Sequence, residues 1–540
     1  MMSFLLLACG ADGDSPKTHN GEPNGSTALT AVFSTPPSVI AADVRAPLGA
    51  LVVADSGAPT TVSVRVSGPE GTRNIDYLAL ANHHELPLID LLPDTSYDIE
   101  VTASQTDGTF ATSSPLPWTT GSLPSPTPVV TRMFDTDGLL PVWWLMTIRR
   151  TDGKPGGHLL LLAPDGRIAW VWTDSSEHAM EVIQEPTGDL LTQLGDGVVT
   201  LDGAGRQLSR WSIPDDPHTE AILVDGMEGP FHHDVERLPD GTLLSLTSKH
   251  LTIAGFPIDY EDASLIASSR IAADVIVNFD STGAVLSRVD VDDFMSTTRI
   301  GYSALGSRLK DPDSYDWSHA NDVSPISGRN AILLSMRHQD TVVLLDLFNS
   351  SPIWILSPPD NWTAPWGDRR LTPEDGVVWP FHAHAPVLEG NRLVLLDNGN
   401  YRASPFTGAG PDVDESTWTR VVAFDIDETQ GRFSEGWALE NTTVGQVFSE
   451  AVGWIERTAE GHLAVTYGAI TEIDGVLVED LGLSTPIVHL LVVDDSGPEP
   501  KVLQETRLAN LDAEEAGWLV SRAHPLSGPY PAGFATVTWE

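Results

Sequence analysis

Short apolar runs, separated by Asp/Gly turns and polar breaks, organise this sequence. Thr61-Val62-Ser63-Val64-Arg65-Val66 alternates polar and apolar positions, as a half-buried strand does. HLLLLA (His158 to Ala163), RIAWVW (Arg167 to Trp172) and TVVLLD (Thr341 to Asp346) are apolar runs of strand length. No long stretch carries a convincing helical period. The pattern predicts an all-β chain.

From Val129 onward, five units share one plan. They open near His178, His233, His319, His382 and Gly453. Each then has a turn glycine followed by an apolar strand: DLLTQL, TLLSLT, AILLSM, RLVLLD and HLAVTY. The glycine lies eight residues past the opening at Gly241, Gly390 and Gly461, nine at Gly328 and ten at Gly188. Strand pairs recurring at irregular spacings of roughly 50 to 80 residues predict a β-propeller with elaborated loops. Strands within Val142 to Trp172 add a further unit, so residues 129–540 read as a six-bladed β-propeller. Trp143, Trp144, Trp170 and Trp172 read as packing between blades. Residues 28–121 read as a small β-sandwich. There, Leu91 to Val101 (LLPDTSYDIEV) resembles the fibronectin type III signature, with Tyr97 as a structural corner residue and Trp118 near the closing strand. SLPSPTP, residues 122–128, is a proline-rich linker.

Composition narrows the function. The 540 residues carry 30 basic and 75 acidic side chains, a formal charge of −45, which argues against nucleic-acid binding because phosphate contacts need a basic face. The single cysteine, Cys9, excludes an internal disulfide. It ends the apolar run MMSFLLLAC, and Leu6-Leu7-Ala8-Cys9 resembles the lipobox of bacterial lipoproteins. The basic n-region of a signal peptide is missing, so either the start codon is placed too late or the match is chance; the polar tether that follows favours the first. Residues 1–9 are therefore expected to be a signal-peptide remnant and residues 10–27 a polar tether, with Cys9 as a lipid anchor. The expected location is extracytoplasmic and membrane-anchored, at the periplasm or cell surface. The oligomeric state, a homodimer included, is left open.

Three stretches gather the candidate chemistry: FHHDVERLPDGTLL from Phe231, DWSHANDVSPISGRNAILLSMRHQD from Asp316, and FHAHAPVLEGNRLVLLDNG from Phe381. Each sets a histidine before a strand-turn-strand unit. Innermost strands line a propeller's channel, so His233, His319 and His382 converge at equivalent repeat positions. Alternation puts Asn321 on the face of His319, and Arg337 ends the following strand. Singly, each histidine is more readily structural than functional. Together they suit either a transition metal or nucleophilic and acid/base roles. Arg337 tips the balance. A fixed cation is repelled by a metal, but its guanidinium fork matches the oxygens of a tetrahedral anion. No metal or cofactor is expected.

These three motifs, in this order, resemble the bacterial arylsulfotransferase family. The resemblance spans roughly Phe231 to Arg402, and the predicted architecture extends it to most of the chain. It implies a six-bladed propeller with an N-terminal β-sandwich. It also implies transfer of a sulfuryl group from a phenolic sulfate ester to a phenol, without a nucleotide sulfate donor, by a ping-pong route through a sulfated histidine. By motif, His382 matches the sulfated residue, with His384 as local rival. His319, Asn321 and Arg337 would hold the sulfuryl oxygens. His233 would assist at the phenolic oxygen, with His232 as rival. Asp397, Asn398 and Arg402 read as a structural turn, and His338 as lying outside the site. Two departures stand out. Some family members carry a disulfide near the site, which this chain cannot form. Phe381 stands where glutamine is common in the family. The competing readings are a sulfatase- or phosphatase-like hydrolase on the same site, and a non-catalytic propeller that binds a surface partner or glycan.

Overall fold

The computed structural model describes residues 32–136, 138, 140–152, 157–214, 220–308, 311–408 and 418–540. The lipobox, Cys9 and the tether lie outside the described residues. Among those described, the only helical elements are three short 3-10 turns, Val291–Asp293, Arg337–Gln339 and Val478–Leu481; the rest of the regular structure is strand. No helix among them is long and apolar enough to cross a membrane.

The N-terminal unit is built around two long strands, Ala50–Gly68 and Gly71–Leu88, paired antiparallel along their length. The first half of Ala50–Gly68 also pairs with Phe33–Ala41, and the second half with Ser96–Gln105. The ladder breaks between Asp55 and Thr60, where the strand changes partners. Val62, Val64 and Val66 are buried while Thr61, Ser63 and Arg65 are half-buried, so the alternation seen in the sequence becomes the two faces of the sheet. Tyr97 is a corner residue: its hydroxyl accepts from Leu92 N at 2.8 Å and reaches Glu70 at 3.0 Å.

A propeller arrangement follows. Five of its sheets draw four core strands from one stretch of the chain, and their innermost strands are Ala179–Gln184, His232–Arg237, Ala320–Pro325, His384–Glu389 and Trp454–Arg457; the last of these sheets also takes Val129–Asp135 as an outer strand. The expected six-bladed propeller is corrected to five blades. The remaining sheet is composite: Trp143–Arg150, Gly157–Leu162 and Ile168–Asp174 are completed by Trp518–Leu526 from the far end of the chain. Ala535–Trp539 leaves the propeller and pairs with Gly71–Leu88 in the N-terminal sheet.

The two units share one apolar core. It joins Val52, Val64 and Ile99 of the N-terminal unit to Leu159, Trp170 and Trp172 of the composite sheet. Trp170 and Trp172 therefore cement the contact between units, which corrects their reading as packing between blades alone. Trp172 is 1% exposed and donates Nε1–H to Gly205 O at 3.0 Å. Gly205 sits at φ 81°, and a Cβ there would lie 2.7 Å from the Trp172 ring. Replacing Trp172 by Ala should cost about 3–5 kcal/mol through the cavity it leaves. A thermal melt of the parent and the variant reads this as a lower Tm. An unchanged Tm would show that the shared core does not limit stability.

Candidate functional site

The strands that face the channel do not follow simple alternation. His233, His319 and His382 all adopt the left-handed region, at φ 59°, 47° and 55°. Such a conformation costs a non-glycine residue on the order of 1–3 kcal/mol and persists only where surrounding structure enforces it. Beside each, the ladder skips: between His232 and Val235, between Ala320 and Asp322, and between His384 and Val387. Bulges of this kind re-aim side chains. His319 thus precedes its strand, and Asn321 is the bulged residue, so the expectation that alternation alone puts them on one face is corrected. Arg337 is likewise past its strand, which ends at Met336, and opens the 3-10 turn Arg337–Gln339.

The result is a line of imidazoles. His233 and His319 meet edge to face with ring centroids 4.8 Å apart. His319 stacks on His338 at 4.3 Å, His338 lies 6.2 Å from His382, and His382 lies 5.4 Å from Tyr401. The placement of His338 outside the site is therefore corrected: the turn after Met336 folds it back onto His319. Burial, with the neighbouring histidines or Arg337 adding to it, pushes the pKa values of His233, His338, His382 and His384 down. These rings are neutral at neutral pH. The cation among them is Arg337. Its Nη2 donates to Glu450 O at 3.1 Å, and its Nε is buried without a hydrogen-bond partner. Asn321 donates one Nδ2 hydrogen to Ala383 O at 3.0 Å, and its Oδ1 is buried without a partner.

His382 and His384 differ in what their free nitrogens face. His382 has no exposed surface. Its Nδ1 lies 3.0 Å from Asp340 Oδ1 and its Nε2 lies 3.4 Å from Ser303 Oγ. His384 Nδ1 lies 2.7 Å from Asn398 Oδ1 and 3.2 Å from His382 O. Asn398 donates Nδ2–H to Ser449 O and Val452 O, at 2.8 and 3.1 Å, which fixes its oxygen toward His384. With two acceptors beside it, His384 Nδ1 carries the hydrogen and Nε2 keeps a lone pair. His384 also lines a small cavity together with His233, Asn321 and Arg522, whereas His382 does not. Asn398 is thus more than a turn residue. Asp397 and Arg402 remain structural: Asp397 accepts from Phe381 N, Arg402 and Arg420, each at 2.9 Å.

Two neighbouring arrangements bear on the chemistry. Donor atoms of Asp316, His319 and His338 lie within 4.8 Å of one another. Both histidines already hydrogen-bond Asp316, His319 Nδ1 to its carboxylate and His338 Nδ1 to its carbonyl, each at 2.6 Å. The second arrangement is a buried ionic cluster at the edge of the cavity. Arg522 Nη1 lies 2.6 Å from Glu181 and 2.8 Å from Asp234, and its Nη2 donates to Asn321 O at 3.0 Å. Neither Arg522 nor Asn398 is marked by a motif repeat. Asp340 stood in a quoted stretch, but only the fold brings it to His382.

Comparison with known proteins follows the same lines. A family model described as Arylsulfotransferase (ASST) matches residues 145–482, and one described as Arylsulfotransferase Ig-like domain matches residues 43–121. The curated protein "Arylsulfate sulfotransferase AssT" of Escherichia coli O6:H1 is 22% identical over 387 residues, covering 65% of this chain. The match spans 59% of that protein's length. Among solved structures, a protein of unknown function from Bacteroides caccae aligns with TM-score 0.38 at 12% identity, covering 72% of this chain and 99% of the other. A hypothetical selenium-binding protein from Sulfolobus tokodaii aligns with TM-score 0.35 at 10% identity, covering 87% and 95%. Likenesses this distant carry no functional argument.

The ionic cluster makes a prediction about pH. His524 Nε2 lies 2.7 Å from Glu181 and its Nδ1 2.7 Å from Glu456. Burial opposes its charge, but Glu181 and Glu456 outweigh burial and push its pKa from 6.5 up to about 10. A pKa raised on folding gives stabilisation that is full below the unfolded value and lost as pH rises through the folded one. Tm should therefore fall as pH rises from 6.5 to about 10, and His524→Gln should flatten that fall. Equal slopes in parent and variant would show that His524 is not the linked group.

Proposed function

Because the chain belongs to the arylsulfotransferase family, we propose that it moves a sulfuryl group from a phenolic sulfate ester to a phenol through a sulfated histidine, without a nucleotide donor. The observation that carries this reading is a set of buried, neutral imidazoles around one incompletely paired cation, Arg337. A sulfate ester brings an anion to that cation, and a neutral imidazole brings the lone pair that attacks sulfur. His384 is the better-placed nucleophile. Asn398 holds the tautomer that frees the His384 Nε2, and His384 faces the cavity with His233 and Asn321. This revises the preference for His382, whose ring is enclosed by Asp340, Ser303 and Tyr401.

In the first half-reaction the His384 Nε2–S bond forms, the S–O bond to the aryl oxygen breaks, and the phenol leaves. In the second, an acceptor phenol oxygen attacks the same sulfur and frees Nε2. Arg337 and His319, with the second Nδ2 hydrogen of Asn321, serve the sulfuryl oxygens. His233 serves the phenolic oxygen. His382, paired with Asp340, supports the wall behind Arg337. The lipobox-like Leu6-Leu7-Ala8-Cys9 supports a lipid-anchored, extracytoplasmic setting, where exogenous phenolic sulfates are met.

A chromogenic aryl sulfate, with and without a phenol acceptor, tests the reading. Release should depend on the acceptor, be lost in His384→Asn, and persist more slowly in His382→Asn. Arg337→Gln should lower kcat by roughly 10²–10³-fold, the usual cost of removing one oxyanion donor. Full-rate release without acceptor would instead identify a hydrolase. No release from any donor would favour a binding platform. Loss in His382→Asn alone would return the nucleophile to His382.

A further inference from the structure

Resting on the sulfuryl-transfer reading, we propose that Asp274, His232 and His233 form a proton relay that stores one proton between the two half-reactions. His233 touches the phenolic oxygen. His232 and Asp274 are positioning residues that act through it.

The hydrogen-bond pattern carries the inference. His232 Nε2 lies 3.2 Å from Thr247 O and 3.2 Å from Asp274 Oδ1. A carbonyl and a carboxylate both accept, so this nitrogen carries a hydrogen. Asp274 is held in place by Ser318 Oγ at 2.7 Å and Ala320 N at 2.5 Å, both donating to its other oxygen. On the far side of the ring, His232 Nδ1 lies 2.9 Å from His233 Nδ1. A contact between two imidazole nitrogens holds one proton, which leaves two arrangements.

In the first, the proton sits on His233 Nδ1. His232 is neutral, and His233 Nε2 is a bare lone pair able to take a proton from an acceptor phenol. In the second, the shared proton sits on His232 Nδ1. His232 is then an imidazolium beside the Asp274 carboxylate, and His233 is neutral with a hydrogen on Nε2 that it can give to a leaving phenolate. The two arrangements differ by one proton at His233 Nε2 and one shift across the Nδ1–Nδ1 contact.

The cycle balances on this difference. When the aryl oxygen leaves sulfur, His233 Nε2–H protonates it and His232 returns its Nδ1 proton to His233. When the acceptor attacks, its hydroxyl proton goes to His233 Nε2, and the His233 Nδ1 proton passes to His232. No external acid or base is needed. In the arrangement that carries positive charge, it rests on His232, which has a carboxylate, and not on His233, which faces His319, Asp316 and His384 as well as His232. Burial and the neighbouring histidines push the His233 pKa down, which disfavours charge at that ring.

His232→Gln can occupy the space and donate to Thr247 O, but it cannot pass a proton. The test follows the two halves separately by rapid mixing. Nitrophenyl sulfate serves as donor, because nitrophenolate leaves without protonation. A series of phenols of graded acidity serves as acceptors. The loss should be confined to the acceptor half and should grow as the acceptor becomes less acidic, reaching roughly 10²–10³-fold for unactivated phenols. Asp274→Asn provides the second variant and should show the same graded split. A loss equal across all acceptors, or equal in both halves, would overturn the relay and mark these residues as structural. Absence of a donor burst in the parent protein would instead overturn the sulfuryl-transfer reading itself.

Discussion

The channel is held together at Arg522. This side chain comes from Trp518–Leu526, the strand that completes the composite sheet, and it is 4% exposed. It meets Glu181, Asp234 and the carbonyl of Asn321, each on a different innermost strand, and its guanidinium lies 4.0 Å from the Trp454 ring on a fourth. Burial opposes the charge, but Asp234, Glu181 and Asp322 outweigh burial and raise its pKa. A guanidinium this deep is tolerable only with its partners in place, because removing one partner of a buried ion pair typically costs about 3–5 kcal/mol. The far end of the chain therefore fixes the bulged strands that carry His233 and Asn321. A separate tie is the strand Ala535–Trp539, which pairs with Gly71–Leu88 of the N-terminal sheet.

Against that fully engaged cation, Arg337 is conspicuous for what it leaves unpaired. One nitrogen donates to a carbonyl, and Nε is buried without a partner. Burial pushes its pKa down, as expected where desolvation is incompletely repaid. Burial, with Arg337 adding to it, pushes the pKa values of His338, His382 and His384 down. The two facts are linked, because a cation beside an imidazole disfavours a second positive charge. On the proposed reading, the lone pair that attacks sulfur and the charge that meets the anion would share one site. The left-handed residues at His233, His319 and His382 show that the backbone bears local cost to reach this arrangement.

Much of the fold was legible in the sequence because it rests on local signals. Strand periodicity gave the all-β class, and five recurring openings marked the five contiguous blades. The composite sheet was not legible as such. Its first three strands read as an ordinary unit, and nothing in Trp518–Leu526 advertises a partner some 370 residues earlier in the chain. The histidine positions were visible because they recur at the repeat openings. What each faces was not, because bulges and positive φ angles break the alternation from which facing is read. His338 was set aside on the assumption of a continuing strand, yet the chain turns at Arg337 and stacks it on His319. The choice between His382 and His384 turned on Asn398 and Asp340, partners that only tertiary structure supplies.

The overall charge sharpens what the site must do. A chain of net charge −45 repels anions at long range, yet the substrate proposed for it is an anion. Salt screens exposed charges beyond about 8–10 Å, so the repulsion fades before the anion reaches the channel. Capture then depends on short-range contacts, made where low dielectric strengthens them. That favours a single, desolvated guanidinium backed by neutral donors over a broad basic surface. It also favours keeping the proton required at the phenolic oxygen on a neighbouring ion pair, His232 with Asp274, where its charge does not compete with Arg337 for the sulfuryl oxygens.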